Sequence, residues 1–344
     1  MNTDARKIID KGSAAAFFMR LGAALLVLKL ATVAVQYAIS YGIIGFASYD
    51  TYYHLATEAW WFNWLLSLIP LYCVAMPLFL LLLPKPVHTE LERPAKKRMG
   101  AGALIGALCM CICVLYVGNI MGSSISSTVS ELLGKTAENP LASLAGEGVI
   151  PMIATVLFGV IIGPVGEEII FRRFIADRVA PFGEGLAILF SGLTFGLFHG
   201  NLFQFFYAFF IGCLLTFVRV RTGRDLYNMI LHSAVNFFGM VVSPWALSGE
   251  RLAVMERIAA DPASMTEADI MLLLPTVFFA IAAFAVFVAG TVIFIVALSK
   301  GKFRSGGAPR LAVEGGTAKA IWLNPCVLIS LVFMALFIVL YFVR

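Results

Sequence analysis

Two adjacent carboxylates in the middle of the chain, Glu167 and Glu168, have a spacing that points to chemistry. Arg172 follows Glu168 by four residues, so on a helix the two side chains share a face and can form an ion pair. Glu167 is turned about 100° away from that pair. A carboxylate that has no cation beside it in apolar surroundings can act as a general base. We therefore predict structural roles for Glu168 and Arg172 and a reactive role for Glu167.

Two histidines and an asparagine follow in apolar stretches of the chain. His199 lies four residues after Phe195, and His232 lies four residues before Asn236, so each pair shares a helix face. Each residue alone would be ordinary, because a buried histidine or asparagine often only bonds a neighbouring helix. Together with Glu167 they supply a base, a positioning group and two hydrogen-bond donors. That set is suited to hydrolysing an amide with water.

The elements that must position these residues are membrane helices. The chain has 344 residues, of which 60% are hydrophobic and 13% charged, and its mean hydropathy is +0.92. These values exclude a soluble enzyme, a disordered chain and a secreted disulfide scaffold. The apolar stretches are continuous rather than alternating, which excludes a transmembrane β-barrel. The predicted fold class is all-α, a polytopic membrane helical bundle of eight or nine transmembrane helices.

Nine candidate spans can be placed, and the loops between them differ in charge. Nearly all loop Lys and Arg residues fall on one side, and the other side holds only Lys135, Arg251, Arg257 and Arg344. Basic loops face the cytoplasm, so this asymmetry predicts a cytoplasmic N-terminus and leaves no basic face for nucleic acid. Arg20 and Lys29 lie within the first span, where they can snorkel or pair. The spans are 14–40, 60–83, 100–121, 149–177, 184–200, 202–218, 226–247, 270–298 and 321–343.

The spans divide the sequence into three predicted parts. Between the spans, 122–148 is predicted to be an outer loop with one short helix around Ser127–Leu133. Residues 248–269 are predicted to be a helical outer loop, and 299–320 a flexible inner linker. The three parts are the N-terminal transmembrane helices with their outer loop (1–144), a catalytic helical core (145–247) and the C-terminal transmembrane helices with the inner linker (248–344).

The order and context of the polar residues resemble the CPBP (Abi) family. That family comprises type II CAAX prenyl endopeptidases and bacteriocin-processing or self-immunity proteins. The resemblance covers about residues 145–245 and implies an intramembrane endopeptidase. Each motif is short, but three in order within membrane spans form a specific signal. The motifs are Glu167-Glu168-x-x-x-Arg172, Phe195-x-x-x-His199 and His232-x-x-x-Asn236.

The resemblance implies a role for each residue. Glu167 would activate water with help from His199, and His232 and Asn236 would stabilise the oxyanion, while the predicted ion pair would hold the helix. The substrate would be a membrane-embedded or membrane-associated peptide or protein, CAAX-like or otherwise, cut near the cytoplasmic half of the bilayer. The sequence gives no sign of a prenylation pathway. We therefore expect a multi-pass protein of a bacterial cell membrane.

Two features depart from that pattern, and the need for a metal stays open. Arg173 stands where a glycine often follows the motif arginine, and we expect it to narrow or recharge the mouth of the site. His199 falls near the outer end of its span and His232 near the inner end of its own, so helix tilt or a short, partly re-entrant span must bring them together. Glu167, His199 and His232 could bind zinc and leave a position for water, or the site could work without a metal.

Two other functions stay open at this point. A non-catalytic membrane protein that sequesters a peptide, confers immunity or regulates a partner would depend on the outer loops rather than on the motifs. A proton-coupled transporter would use Glu167 as a proton relay. No internal repeat typical of a transporter built from two halves is visible in the sequence.

Overall fold

The computed structural model describes residues 7–87, 98–136, 139–140, 144, 148–304 and 311–343. Within them, eight helices are long and apolar enough to cross a membrane, which confirms the predicted all-α polytopic bundle. These helices are α1 (Lys11–Phe46), α3 (Trp60–Leu82), α4 (Ala101–Leu132), α5 (Val149–Phe182), α7 (Leu202–Thr222), α8 (Asp225–Ala246), α10 (Glu267–Ser299) and α12 (Pro325–Val343). The shorter ones are α2 (Tyr49–Glu58), α6 (Glu184–Phe198), α9 (Gly249–Ala260) and α11 (Thr317–Trp322).

A short parallel pair of strands joins the two ends of the chain. β1 (Lys7–Ile9) pairs with β2 (Leu311–Val313), and Leu311 and Val313 are buried in the core. The prediction of a flexible linker over 299–320 is therefore wrong for its second half, which holds β2 and α11; residues 305–310 lie outside the described part. Alternate burial of two apolar residues is the usual signature of a strand with one face on a core.

The strand pair fixes the relative direction of the first and last membrane helices. Because the strands are parallel and α1 and α12 each follow one of them, both helices leave the sheet from the same end of the bundle. They pack closely, since a side chain at Gly22 would collide with the backbone of Cys326. We call this end, which carries β1 and β2, the strand end. The opposite end, which carries α2 and α9, is the loop end.

Helix α6 is too short to cross a bilayer. Its 15 residues span only about 22 Å at 1.5 Å per residue, against about 30 Å of hydrocarbon. The predicted full span over 184–200 is therefore wrong, and the short-span alternative is correct. The chain turns at Gly200 and returns to the strand end as α7. The two helices approach closely because Gly192 and Gly196 face α7 and have no side chain to hold it away.

Helix α4 extends well beyond the predicted end of its span. Residues 122–132, predicted to be loop apart from a short helix, continue the helix without a break. Four small residues lie buried on one face at four-residue spacing: Gly118, Gly122, Ser126 and Ser130. The two glycines let α7 approach closely, because a side chain at either would collide with its first turns. The polar composition of the four residues resembles a loop, but their spacing is that of a helix contact. The predicted helical character of 248–269 is confirmed by α9.

The close contact between α4 and α7 can be tested at one position. A methyl group at Gly118 would collide with the backbone of Tyr207, whereas one at Gly106, on the same helix, would meet only Ile293 atoms at 3.8 and 3.9 Å. We expect Gly118→Ala to lower the free energy of unfolding by about 1–3 kcal/mol, the usual cost of overpacking. Gly106→Ala is the matched control and should be neutral or slightly stabilising. Unfolding by SDS in mixed micelles measures both, and equal stability of the two variants would contradict the packing.

Candidate active site

Helix α5 presents its two carboxylates from a short regular segment between two wider turns. Gly163–Glu168 is α-helical, and the segments before and after it, Thr155–Ile162 and Ile169–Ala176, are π-helical. A π-helical turn re-aims side chains and leaves backbone carbonyls for other donors, and such turns are frequent at functional sites. Here the carbonyls of Gly159 and Gly163 accept hydrogen bonds from side chains of other helices.

The predicted ion pair forms and is completely enclosed. The Nε atom of Arg172 lies 3.1 Å from Oε2 of Glu168, and each side chain is only 1% exposed. The guanidinium also lies over the ring of Phe195, 4.4 Å from its centre. A ring face attracts a desolvated cation, so α6 helps to hold the arginine of α5.

Glu168 has a second partner that the sequence did not indicate. Its Oε1 atom accepts a hydrogen bond from Nδ1 of His232 at 2.8 Å. The Nε2 atom of the same ring lies 3.6 Å from Oε2 of Glu167. His232 therefore lies between the two carboxylates, with its tautomer and orientation fixed by the one that is paired with arginine.

The two carboxylates of this cluster differ in their surroundings. Glu168 lies beside the guanidinium of Arg172 and Nδ1 of His232, whereas Glu167 faces Nε2 of His232. Glu167 is the more accessible of the two acids, because its side chain is 22% exposed and that of Glu168 is 1% exposed.

His199 reaches the same region because α6 ends inside the bundle. It follows the last residue of α6, and its Nδ1 atom donates to the carbonyl of Phe195 at 2.8 Å. The ring of Phe195 makes edge contacts with both histidines, at centroid distances of 4.9 Å to His199 and 5.6 Å to His232. The short helix thus accounts for the depth difference predicted from the spans, because α6 stops before the far side of the bundle.

Asn236 lies one turn above His232 on α8. Its Nδ2 atom donates to the carbonyl of Gly159 at 2.9 Å, which uses one of its two N–H groups. The side chain also lines the cavity that the site faces. Its second N–H group is a donor that a bound substrate can use.

All four predicted catalytic residues line one cavity, which we call the chamber. Its volume is about 870 Å³, and Glu167, His199, His232 and Asn236 all contribute to its wall. That volume is within the range of sites that hold small molecules or short peptide segments. Arg173 is exposed and does not line the chamber, so the expectation that it would narrow the mouth is wrong.

The chamber occupies the half of the bundle near the loop end. Helix α1 lines it only from Lys29 onwards, and α3 lines it only with its first part, up to Tyr72. The chamber also reaches Asn139, Pro140 and Leu144 in the connection between α4 and α5. The chamber therefore lies nearer the loop end than the strand end.

Tyr72 is a wall residue that sequence reasoning missed. Its hydroxyl donates to the carbonyl of Gly163 at 3.0 Å, and a side chain at Gly166 would collide with its ring. The glycine directly before Glu167 thus leaves space for a tyrosine from α3. Gly166 was a usable signal for a close neighbour, but nothing in the sequence indicated which residue that neighbour is.

The predicted metal ligands do not gather into a three-ligand set. Across the described residues, no group of three His, Cys, Asp or Glu side chains is placed to share one ion. The Nδ1 atoms of His199 and His232 are both engaged, by a backbone carbonyl and by Glu168, which leaves each Nε2 atom available, as in a ligating histidine. It is therefore the spacing of Glu167, His199 and His232, and not the bonds of the two histidines, that does not fit a shared zinc ion.

Comparison with known proteins gives one match. Residues 149–238 match the family model described as Type II CAAX prenyl endopeptidase Rce1-like. This match confirms the resemblance to the CPBP family, and the matched residues include all three motifs. No curated protein and no solved structure matches the chain.

The buried ion pair makes a prediction about stability. Arg172→Met leaves Glu168 charged and without its cation, so we expect the free energy of unfolding to fall by about 3–5 kcal/mol. Adding Glu168→Gln removes the stranded charge and keeps an acceptor for His232, so the double variant should be more stable than Arg172→Met alone. SDS unfolding of both variants and of Glu168→Gln completes the cycle. A double variant less stable than Arg172→Met would show that the pair is not the source of the loss.

Proposed function

We propose that this chain is an intramembrane endopeptidase in which Glu167 activates water, since residues 149–238 match the Type II CAAX prenyl endopeptidase Rce1-like family model. The observation that carries the proposal is the position of His232. One nitrogen of its ring is bonded to Glu168, and the other faces Glu167 at 3.6 Å at the wall of the chamber. A base and a hydrogen-bond donor are thus adjacent, as amide hydrolysis requires.

In the proposed reaction, Glu167 removes a proton from water as the water oxygen attacks the carbonyl carbon of the scissile peptide bond. The carbonyl oxygen becomes negatively charged and receives hydrogen bonds from protonated Nε2 of His232 and from the second N–H of Asn236. The proton held by Glu167 then passes to the leaving nitrogen as the carbon–nitrogen bond breaks. His199, whose Nδ1 donates to Phe195, offers its Nε2 lone pair as a further proton acceptor.

The position of the chamber bears on the substrate. The chamber lies among membrane-spanning helices, which supports a membrane-embedded or membrane-associated peptide or protein as substrate. Basic side chains concentrate at the strand end, so we propose that this end is cytoplasmic. The chamber would then open towards the outer face of the bilayer. This placement replaces the expectation of cleavage in the cytoplasmic half, because the chamber lies near the loop end.

The proposed base is tested by a single substitution. Glu167→Gln keeps the size of the side chain and removes its ability to accept the proton, so we expect cleavage to fall by at least about a hundredfold. The measurement compares, by mass spectrometry, the peptides released from membranes that carry the parent protein or the variant. Peptides specific to the parent should derive from substrate segments at the face opposite the basic end.

The matched control is Glu256→Gln, which changes an exposed carboxylate on α9, outside the chamber. This variant should release the same peptides as the parent. Identical peptide sets from the parent and from folded Glu167→Gln would exclude the peptidase proposal. Such a result would favour the sequestering or transporting functions that the sequence left open.

The ligand geometry makes a second prediction about the reaction. Since Glu167, His199 and His232 do not form a three-ligand set, we expect cleavage to persist in 1,10-phenanthroline at concentrations that remove bound zinc. The control is the non-chelating isomer 1,7-phenanthroline, which should have the same small effect. Loss of activity with the chelator alone, and its return on adding zinc, would establish a metal-dependent reaction.

A further inference from the structure

Lys29 is a buried cation beside the site that the proposed mechanism does not use. It lies on α1 and is only 8% exposed. Its Nζ atom donates to the carbonyl of Phe198 at 2.7 Å and lies 5.0 Å from the ring centres of both Phe198 and Phe337. The first span thus places an ammonium against the last turn of α6, directly before His199.

The charge of Lys29 is not balanced by an acid. Among the described residues, no carboxylate lies within 4 Å of its Nζ atom, in contrast to Arg172 and Arg219, which are paired. A carbonyl and two ring faces stabilise the ammonium in part. An uncompensated charge inside a membrane bundle is still costly, and such residues are functional by default. Arg20, a second cation within this helix, is exposed, and its Nε donates to the carbonyl of Leu82 at 3.4 Å.

Two cavities meet at Lys29. One is the chamber, and the other is a smaller cavity of about 290 Å³ between α1, α3 and α12. Both are lined by Lys29 and His199, and also by Gln36 and Leu66. The smaller cavity adds Tyr37, Tyr52 and Tyr341, so its wall is aromatic with polar tips. A chain that passes Glu167 in the chamber can therefore continue past His199 to the ammonium.

We propose that Lys29 forms an anion subsite that binds a carboxylate of the peptide substrate. This inference rests on the proposed peptidase function. An ammonium has three N–H donors, of which Phe198 uses one, so two remain for a ligand at the junction of the cavities. One uncompensated positive charge matches one monoanion. A carboxylate can come from the C-terminus of the peptide or from an Asp or Glu side chain, and both would place the scissile bond relative to Glu167.

Gly200 supports this geometry. Its φ angle is +72°, and an added Cβ atom would lie 3.3 Å from Nζ of Lys29 and 3.2 Å from Cβ of Phe337. The turn after His199 therefore passes close to the ammonium, and only glycine is compatible with both the backbone conformation and the contact. Because Gly200 has no side chain, the space beside Nζ of Lys29 stays open and forms part of the two cavities.

Lys135 is a control that distinguishes anion binding by Lys29 from simple capping of a helix. Nζ of Lys135 donates to the last carbonyls of α12, at 3.0 Å to Phe342 and 2.8 Å to Val343, and it lines neither cavity. If Lys29 only caps α6, its removal should act as removal of Lys135 does, on stability alone. If it holds an anion, its removal should also abolish the preference for charged ligands.

The experiment measures binding without turnover. The full chain carrying Glu167→Gln is purified in detergent and titrated with N-dodecanoyl-Val-Leu-Ala, as the free acid and as the carboxamide. A third probe, N-dodecanoyl-Asp-Leu-Ala carboxamide, carries its carboxylate on a side chain, and dodecyl phosphate represents a lipid-like anion. Tryptophan fluorescence reports binding because Trp64 lines the chamber.

We expect at least one carboxylate probe to bind about tenfold or more tightly than the neutral carboxamide, since a hydrogen bond to a charged group is worth at least that factor. The better carboxylate probe identifies the source of the group. Adding Lys29→Met should reduce the preference to about one, and Lys29→Arg should retain part of it. If Lys29→Met folds poorly, Lys29→Gln replaces it as the variant without charge. Its side chain still donates a hydrogen bond, and it should reduce the preference to the same extent. Lys135→Met should leave the preference intact.

Three results would overturn the subsite. They are equal affinity for acid and carboxamide, an unchanged preference in folded Lys29→Gln, and tighter binding of dodecyl phosphate than of either carboxylate. The readout is independent of catalysis. The preference for a charged ligand could depend on Lys29 while the parent protein releases no peptides. That combination would support the anion site and contradict the peptidase proposal.

Discussion

The buried pair of Glu168 and Arg172 is the interaction on which the rest of the site depends. Each ion alone would be too costly to enclose at 1% exposure, and together they compensate each other. The pair then does more than hold α5. The free oxygen of Glu168 orients His232, and the guanidinium covers the face of Phe195, which contacts both histidines. One ion pair on α5 thereby fixes side chains of α6 and α8, on which the proposed chemistry depends.

Helix length is the second constraint. If α6 crossed the bilayer, His199 would lie at the far surface, away from His232. Its 15 residues stop inside the bundle, and glycines at its contact with α7 let the chain return without a gap. The polar turn at Gly200 and Asn201 is then enclosed by protein, which is the condition for irregular backbone at membrane depth. Lys29 bonds the last carbonyl of α6 and so satisfies part of that turn.

The sequence predicted those features that depend on local spacing. Four-residue spacing was sufficient for the pair of Glu168 and Arg172 and for the shared face of His232 and Asn236, and composition was sufficient for the bundle. Prediction from the sequence failed at Ser126 and Ser130 of α4, because small polar residues are also typical of loops. It also failed for β1 and β2, because a three-residue strand pairs there with one about 300 residues away. The bond of His232 to Glu168 depends on how α5 and α8 are rotated against each other. No spacing within either helix determines that rotation.

The chamber is not built by the family region alone. Residues 149–238 hold Glu167 and the other proposed reactive groups, but Tyr72 on α3 occupies the space left by Gly166. Lys29 on α1 and Phe337 on α12 cover the turn beside His199. The main hydrophobic core likewise joins Phe18 of α1, Phe171 of α5 and Val327 of α12. The proposed reactive residues are held by a few contacts among α5, α6 and α8. The surrounding wall comes mainly from α1, α3 and α4. Under the proposed function, differences in those helices would change which peptides enter while the residues around Glu167 stay the same.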